Sequence, residues 1–257
     1  MNNLLILSTL ILLTSCGQTA KSGNAKADRS IDTSAEIEIS KTDQKTAREE
    51  AAESIDCIGL VFNSPEQRAD SLLVFMEKAI NSSLADRIKW EQKFFCAFPT
   101  SFKDMQSLFG YDDENGAAPL YSRGNETYSY ADRHIMNDVI GFFSGLELIP
   151  DSIYYDKYVR INIDGYWEAD HIQEAFGFSY RLMSDTKDAC KALSTFSDKE
   201  IKSVFRFIFD GPHPKNDSNE NLYESLKTKI GSQDNRLSLL LTESYEELMA
   251  EDDGHGH

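Results

Sequence analysis

Glycine and proline are scarce, 14 and 6 in 257 residues. An all-β fold, which needs turn residues every 8–12 positions or so, is hard to build from that supply. Two stretches of 33 residues, 66–98 and 178–210, contain neither residue, and such runs favour helices. Positive charge is short as well: 26 Lys and Arg stand against 43 Asp and Glu, a formal net charge of −17. A polyanion is held through Lys and Arg that release counterions, so nucleic acid is a poor partner. No Cys-x-x-Cys, no Walker-type glycine loop and no His-Glu-x-x-His occurs anywhere in the chain. Disorder throughout is excluded by what is present, 40% hydrophobic residues with 15 Phe and 11 Tyr.

The one compact apolar run is at the N-terminus. Residues 1–15 carry no charged side chain, and Leu4, Leu5, Ile6, Leu7, Leu10, Ile11, Leu12 and Leu13 form its core. A membrane-spanning helix needs about 20 apolar residues, and this run stops after roughly ten to twelve, the length of a signal h-region. It ends in Leu13-Thr14-Ser15-Cys16, which resembles the lipobox of bacterial lipoproteins. The resemblance implies cleavage after Ser15 and a diacylglyceryl thioether on Cys16. Two or three acyl chains, at ~0.8 kcal/mol per buried CH₂, then hold the protein to a bilayer. Gly17-Gln18 follow the cysteine, without the Asp that retains such proteins in an inner membrane. The expected location is therefore the outer membrane, facing the periplasm, with surface exposure left open. Residues 16–45 are rich in Ser, Thr, Ala, Lys and Asp and read as a flexible tether, spanning on the order of 30 Å.

Residues 46–250 read as a single α-helical domain, and 251–257 as a disordered acidic and His tail. The expected fold is all-α, an irregular helical bundle or αα-hairpin array of about eight to ten helices. Pro65 after Ser64 starts a helix bearing Leu72, Leu73, Met76, Ala79 and Ile80. Leu84, Ile88, Phe95 and Phe98 share the next face, which Pro99 ends. A short helix over 101–109 closes on Gly110, and Ile135, Val139, Phe142, Phe143 and Leu146 form a regular stripe before Pro150. Ala169, Ile172, Phe176, Tyr180 and Met183 form another. Ser197 and Glu200 have the spacing of a capping box ahead of Ile201, Val204, Phe205, Ile208 and Phe209. Leu222, Leu226 and Ile230 end at Gly231, read as the residue just past the helix, and Leu237, Leu240, Leu241, Tyr245 and Leu248 complete the set. Residues 159–165 alternate as a strand would, but an isolated strand has no partner, so helix is the expectation there.

Residues 111–130 form the longest gap without a stripe, and a loop of that length inside a compact domain is often functional. Its Asp112, Asp113, Glu114 and Tyr121 are the first candidate binding residues. Asp210 and His213, beside two prolines at a helix end, are the second group, with the chemistry for acid–base pairing. An EF-hand register centred on Gly116 fails, because positions 1 and 12 would be Tyr111 and Ser122. Glu168 and His171 make one Glu-x-x-His pair, whereas a di-iron site needs two. Gly141-Phe142-Phe143-Ser144-Gly145 lacks the nucleophile-elbow pattern and lies within a helical stripe. No cofactor or metal is expected from these patterns.

With Cys16 acylated, Cys57, Cys96 and Cys190 remain, an odd number that fits one disulfide and one buried thiol in an oxidising compartment. Phe95 and Phe98 beside Cys96 suggest that it is the thiol, with a bridge from Cys57 to Cys190. The segments Phe94-Phe95-Cys96-Ala97-Phe98-Pro99, Leu108-Phe109-Gly110-Tyr111 and Phe209-Asp210-Gly211-Pro212-His213-Pro214 resemble a group of all-helical bacterial lipoproteins. Some of these sit beside secreted toxins and are thought to confer immunity. The resemblance brings no catalytic residue. It implies a non-enzymatic, membrane-anchored binding module whose partners are the bilayer, through Cys16, and an unidentified basic protein drawn by the negative charge. The alternative is a lipid-anchored envelope hydrolase or metal-dependent enzyme using Glu168, His171 or the Asp210–His213 turn.

Overall fold

The structure, a computed structural model, describes Ile55, Cys57 and residues 59–112, 116–125, 134–167 and 178–251. The segments expected to be a leader and a tether, Cys16 and the last six residues lie outside the described residues, as do Asp113, Glu114, Glu168 and His171. Eleven helices account for most of what is described, and the fold is all-α. They are α1 (Pro65–Ile80), α2 (Leu84–Ala97), α3 (Phe102–Phe109), α4 (Pro119–Asn125), α5 (His134–Ser144), α6 (Asp151–Asn162), α7 (Phe178–Ser184), α8 (Thr186–Leu193), α9 (Asp198–Phe209), α10 (Asp217–Gly231) and α11 (Asn235–Ala250). Between α3 and α4 a two-residue antiparallel ladder pairs Tyr111 with Ala117 and Asp112 with Gly116. Gly116 turns it with a φ of +80°, a conformation that glycine alone takes without cost.

Local chemistry sets the ends. Ser64 accepts from the Gln67 amide and Ser101 from the Asp104 amide, each satisfying a donor that the first turn leaves over. Ser197 and Glu200 form the expected reciprocal capping box. Gly231 is the last residue of α10 rather than the residue beyond it, and Ser232 is the cap.

Two antiparallel hairpins, α1–α2 and α10–α11, flank a central helix. The first packs against α3, α4 and α5, and in the second α11 packs on α9 while α10 meets α7 and α8. Helix α6 touches α3 on one side and α8 and α9 on the other. It buries Tyr154, Tyr155, Lys157, Tyr158, Val159, Ile161 and Asn162, so its apolar surface wraps most of the cylinder. An aromatic column joins α6 to the first hairpin. Phe98 stacks on Phe143 at 4.0 Å, and Phe143 on Tyr158 at 5.3 Å, with ring planes within 6°. Each such pair adds about 0.5–1.5 kcal/mol beyond its buried area.

The alternating segment is helical through Asn162 and then leaves the helix. Val159 and Ile161 are buried while Arg160 pairs with Asp156 on the open side. Asp164 takes a left-handed φ of 56°, and the ring of Phe207 lies 2.5 Å from where a side chain at Gly165 would begin. The Asp-Gly pair therefore marks a tight passage beneath Phe207. Within the expected 169–183 stripe, Tyr180 is 71% exposed, so the described end of that stripe does not bury it. Helix α4, the first half of α6 and the whole of α8 carry no stripe in the sequence reading.

Candidate functional site

The residues nominated from the sequence do not converge. Asp112 lies in the small ladder, and the nearby Tyr121 ring meets Tyr111 at 5.8 Å. Asp210 caps α9, and its carboxylate accepts the Trp167 backbone N–H at 2.8 Å. His213 is exposed, and its carbonyl accepts from Asn216. Asp210 and His213 make no bond to one another, so the acid–base pair expected there does not form. The carboxylate completes a loop instead of facing an imidazole. Ser144 shares a hydrogen bond with the Tyr158 hydroxyl at 3.2 Å. Among the described residues no three His, Cys, Asp or Glu side chains gather as metal ligands.

The cysteines differ from expectation. Cys57 bonds to Cys96, with Cα atoms 5.2 Å apart, and the buried free thiol is Cys190. The flanking Phe95 and Phe98 are buried, but Cys96 turns to the half-exposed side of α2, where Cys57 meets it. Burial, with Asp234 nearby, pushes the Cys190 thiol up to about 11, which leaves it protonated and unreactive.

The end of α2 is held by an arrangement that local sequence does not display. Pro99 stops the helix and its last turn has no basic residue. Cations arrive from other helices. Lys157 of α6 donates to the carbonyls of Phe95 and Phe98, the latter at 2.8 Å. Arg68 of α1 donates to Ala97 O at 2.7 Å and pairs with Asp104 at 3.1 Å. Both satisfy carbonyls left over at a helix end and place positive charge at its negative pole. Burial lowers the Lys157 ammonium to about 7, helped by Arg68 and opposed by Asp104. Glu91, fully buried, accepts from Arg87 at 2.7 Å and from the Leu148 N–H at 3.0 Å.

Two surfaces stand out from this frame. On the α1–α2 hairpin, Lys78, Lys93 and Lys89 surround the Trp90 ring at 4.3, 4.9 and 5.2 Å, and Trp90 stacks on Phe75. None of the three lysines has a carboxylate within 4.0 Å among the described residues. On the α10–α11 hairpin, Tyr223 stacks on Tyr245 at 4.1 Å, Lys227 donates to the Tyr223 hydroxyl at 2.9 Å, and exposed Glu220 and Glu224 lie near Tyr245, with Glu246 near Lys227. The Tyr245 hydroxyl is pushed up by burial and then by Glu220, Tyr223 and Glu224. Its neighbours Glu243, Glu247 and Glu251 are already taken by Lys202 and Arg206 of α9. The sequence signal for both faces was available: charges at i and i+4 around an aromatic on a helix, hidden by their being spread over two helices.

Comparison of the chain with protein-family models, with curated proteins and with solved structures gives no match.

Proposed function

We propose that this is an acylated lipoprotein of the bacterial envelope that binds a basic protein without transforming it, as an immunity-type inhibitor of a secreted toxin. The observation that carries the reading is the Cys57–Cys96 disulfide, which fits an oxidising compartment beyond the cytoplasm. It is supported by the apolar leader ending at Ser15-Cys16. The partner face is the outer side of α10–α11 bearing the exposed Glu220, Glu224 and Glu246. Carboxylates in no ion pair among the described residues steer a cationic surface and select it.

The test has two readouts on one strain. Intact-mass analysis of the mature chain gives an N-terminal, acylated Cys16, and cells expressing it survive the secreted toxin encoded beside it. Reversal of charge at Glu220, Glu224 and Glu246 together lowers that protection at least tenfold. A retained leader, or survival unaffected by the chain against every adjacent secreted effector, contradicts the proposal.

A further inference from the structure

We infer that the outer face of the α1–α2 hairpin, centred on Trp90, docks on the anionic surface of the bilayer to which the chain is tethered. The inference rests on the acylation proposed above. Its first ground is charge. The hairpin residues 65–97 hold five acidic and five basic side chains, in a chain whose net charge is −17. Three of those basic groups, Lys78, Lys89 and Lys93, converge on one indole and are left without a carboxylate partner among the described residues. Three ammonium groups around one ring repel each other and are relieved by an anion.

The second ground is apolar exposure on the same hairpin. Val74 is 43%, Ile80 64% and Leu84 40% exposed, and Trp90 is half-buried. Tryptophan with lysines and scattered aliphatic groups is the composition of a surface that lies at a headgroup layer, the ring at the boundary and the ammoniums on the phosphates.

The third ground is where the tether joins the domain. Cys57 is bonded to Cys96, and Cys96 continues the Lys89, Lys93 row of α2 at i, i+4 and i+7. That places the disulfide about 10 Å from Lys89 along the same face. Forty residues separate Cys16 from Cys57, and the tether expected over 16–45 reaches on the order of 30 Å, so an acylated Cys16 would hold the hairpin within reach of the bilayer at an effective concentration of order millimolar. Each lysine at an anionic surface multiplies attachment about fivefold, so three give on the order of 10²-fold. A patch too weak to recruit a free protein is sufficient for one already tethered. The acidic face sits on a different hairpin, packed on other helices, and stays available to its partner.

The experiment uses the full acylated chain with Trp167→Phe, which leaves Trp90 as the only indole, reconstituted in vesicles of phosphatidylcholine with or without phosphatidylglycerol. With phosphatidylglycerol, brominated lipid quenches Trp90 and aqueous iodide quenches it less, and high salt reverses both. Joint substitution Lys78→Glu, Lys89→Glu and Lys93→Glu abolishes the lipid quenching while the chain still floats with the vesicles. The control Lys187→Glu, Lys191→Glu and Lys199→Glu, at exposed positions, does not. Lysine acylation of the unaltered chain read by mass spectrometry gives an independent measure, protection at Lys78, Lys89 and Lys93 on anionic vesicles only.

Equal iodide access on both vesicle types overturns the docking and leaves the anchor standing, as does lipid quenching indifferent to the triple reversal. Shielding of Trp90 by soluble polyglutamate but not by anionic vesicles also overturns it and points to an acidic protein. A chain that carries no acyl group and does not float overturns both the anchor and the docking.

Discussion

The α1–α2 and α10–α11 hairpins are built alike and finished oppositely. Each joins two antiparallel helices by a three-residue turn and presents an aromatic pair between them, Phe75 with Trp90 in one and Tyr223 with Tyr245 in the other. Around the first pair stand three lysines, and around the second stand Glu220 and Glu224 with Lys227 held on the Tyr223 hydroxyl. The pairing that removes charge elsewhere is local to α9, whose Lys202 and Arg206 take the glutamates of α11 that face them. A net charge of −17 therefore describes neither hairpin. What decides the electrostatics of each face is which charges a neighbouring helix has already used.

The two hairpins also differ in how their ion pairs are buried, and substitutions separate them. Glu91→Ala leaves the buried Leu148 N–H without its acceptor and empties the place of a fully buried side chain, while Arg87 keeps Glu147, and is expected to lower stability by about 3 kcal/mol in urea unfolding. Loss of the Cys57–Cys96 bond in the double variant Cys57→Ser and Cys96→Ser frees a loop with a sequence separation of 39, at a cost of roughly 2–4 kcal/mol. Ser197→Ala breaks the capping box that starts α9 and costs about 1 kcal/mol. Glu247→Ala, at an exposed pair with Lys202, changes stability by about 0.5 kcal/mol or less. A reversed order of the first and last effects would remove the distinction drawn between the hairpins.

Acidity sharpens the same contrast. Lys157, which holds the end of α2, has a folded value of about 7 against 10.5 in the open chain, so the unfolded state binds the extra proton between these values. Stability contributed at this site therefore rises as pH climbs from 7 towards 10.5. Cys190, raised to about 11 from 9.0, acts in the opposite direction above pH 9, which makes pH 7 to 9 the informative window. Unfolding midpoints in that window are expected to rise for the native chain and to stay flatter in Lys157→Met.

Helices with a punctuated start, an unbroken stripe and a proline or glycine stop were legible in the sequence: α1, α2, α3, α9 and α11 all follow from Ser64-Pro65, Pro99, Ser101, Ser197 and the leucine row. Helix α6 was not, because burial over most of its circumference removes the contrast on which a stripe depends, and residues 159–165 then imitate a strand. The chemistry nominated at Asp210 and His213 failed because proximity in sequence at a helix end does not aim two side chains at each other. The cysteine pairing failed for a related reason. Neighbouring phenylalanines report the burial of their own face of α2, and Cys96 lies off that face. The clamp of Lys157 and Arg68 on α2 joins residues about 30 to 60 positions apart and leaves no local trace.

The most direct test of the account is a non-reducing peptide map of the mature chain isolated from the envelope. It should contain Cys57 and Cys96 in one linked fragment, Cys190 as a free thiol, and an N-terminal fragment beginning at an acylated Cys16. Free thiols at Cys57 and Cys96, or an unmodified Cys16 behind an intact leader, would contradict it.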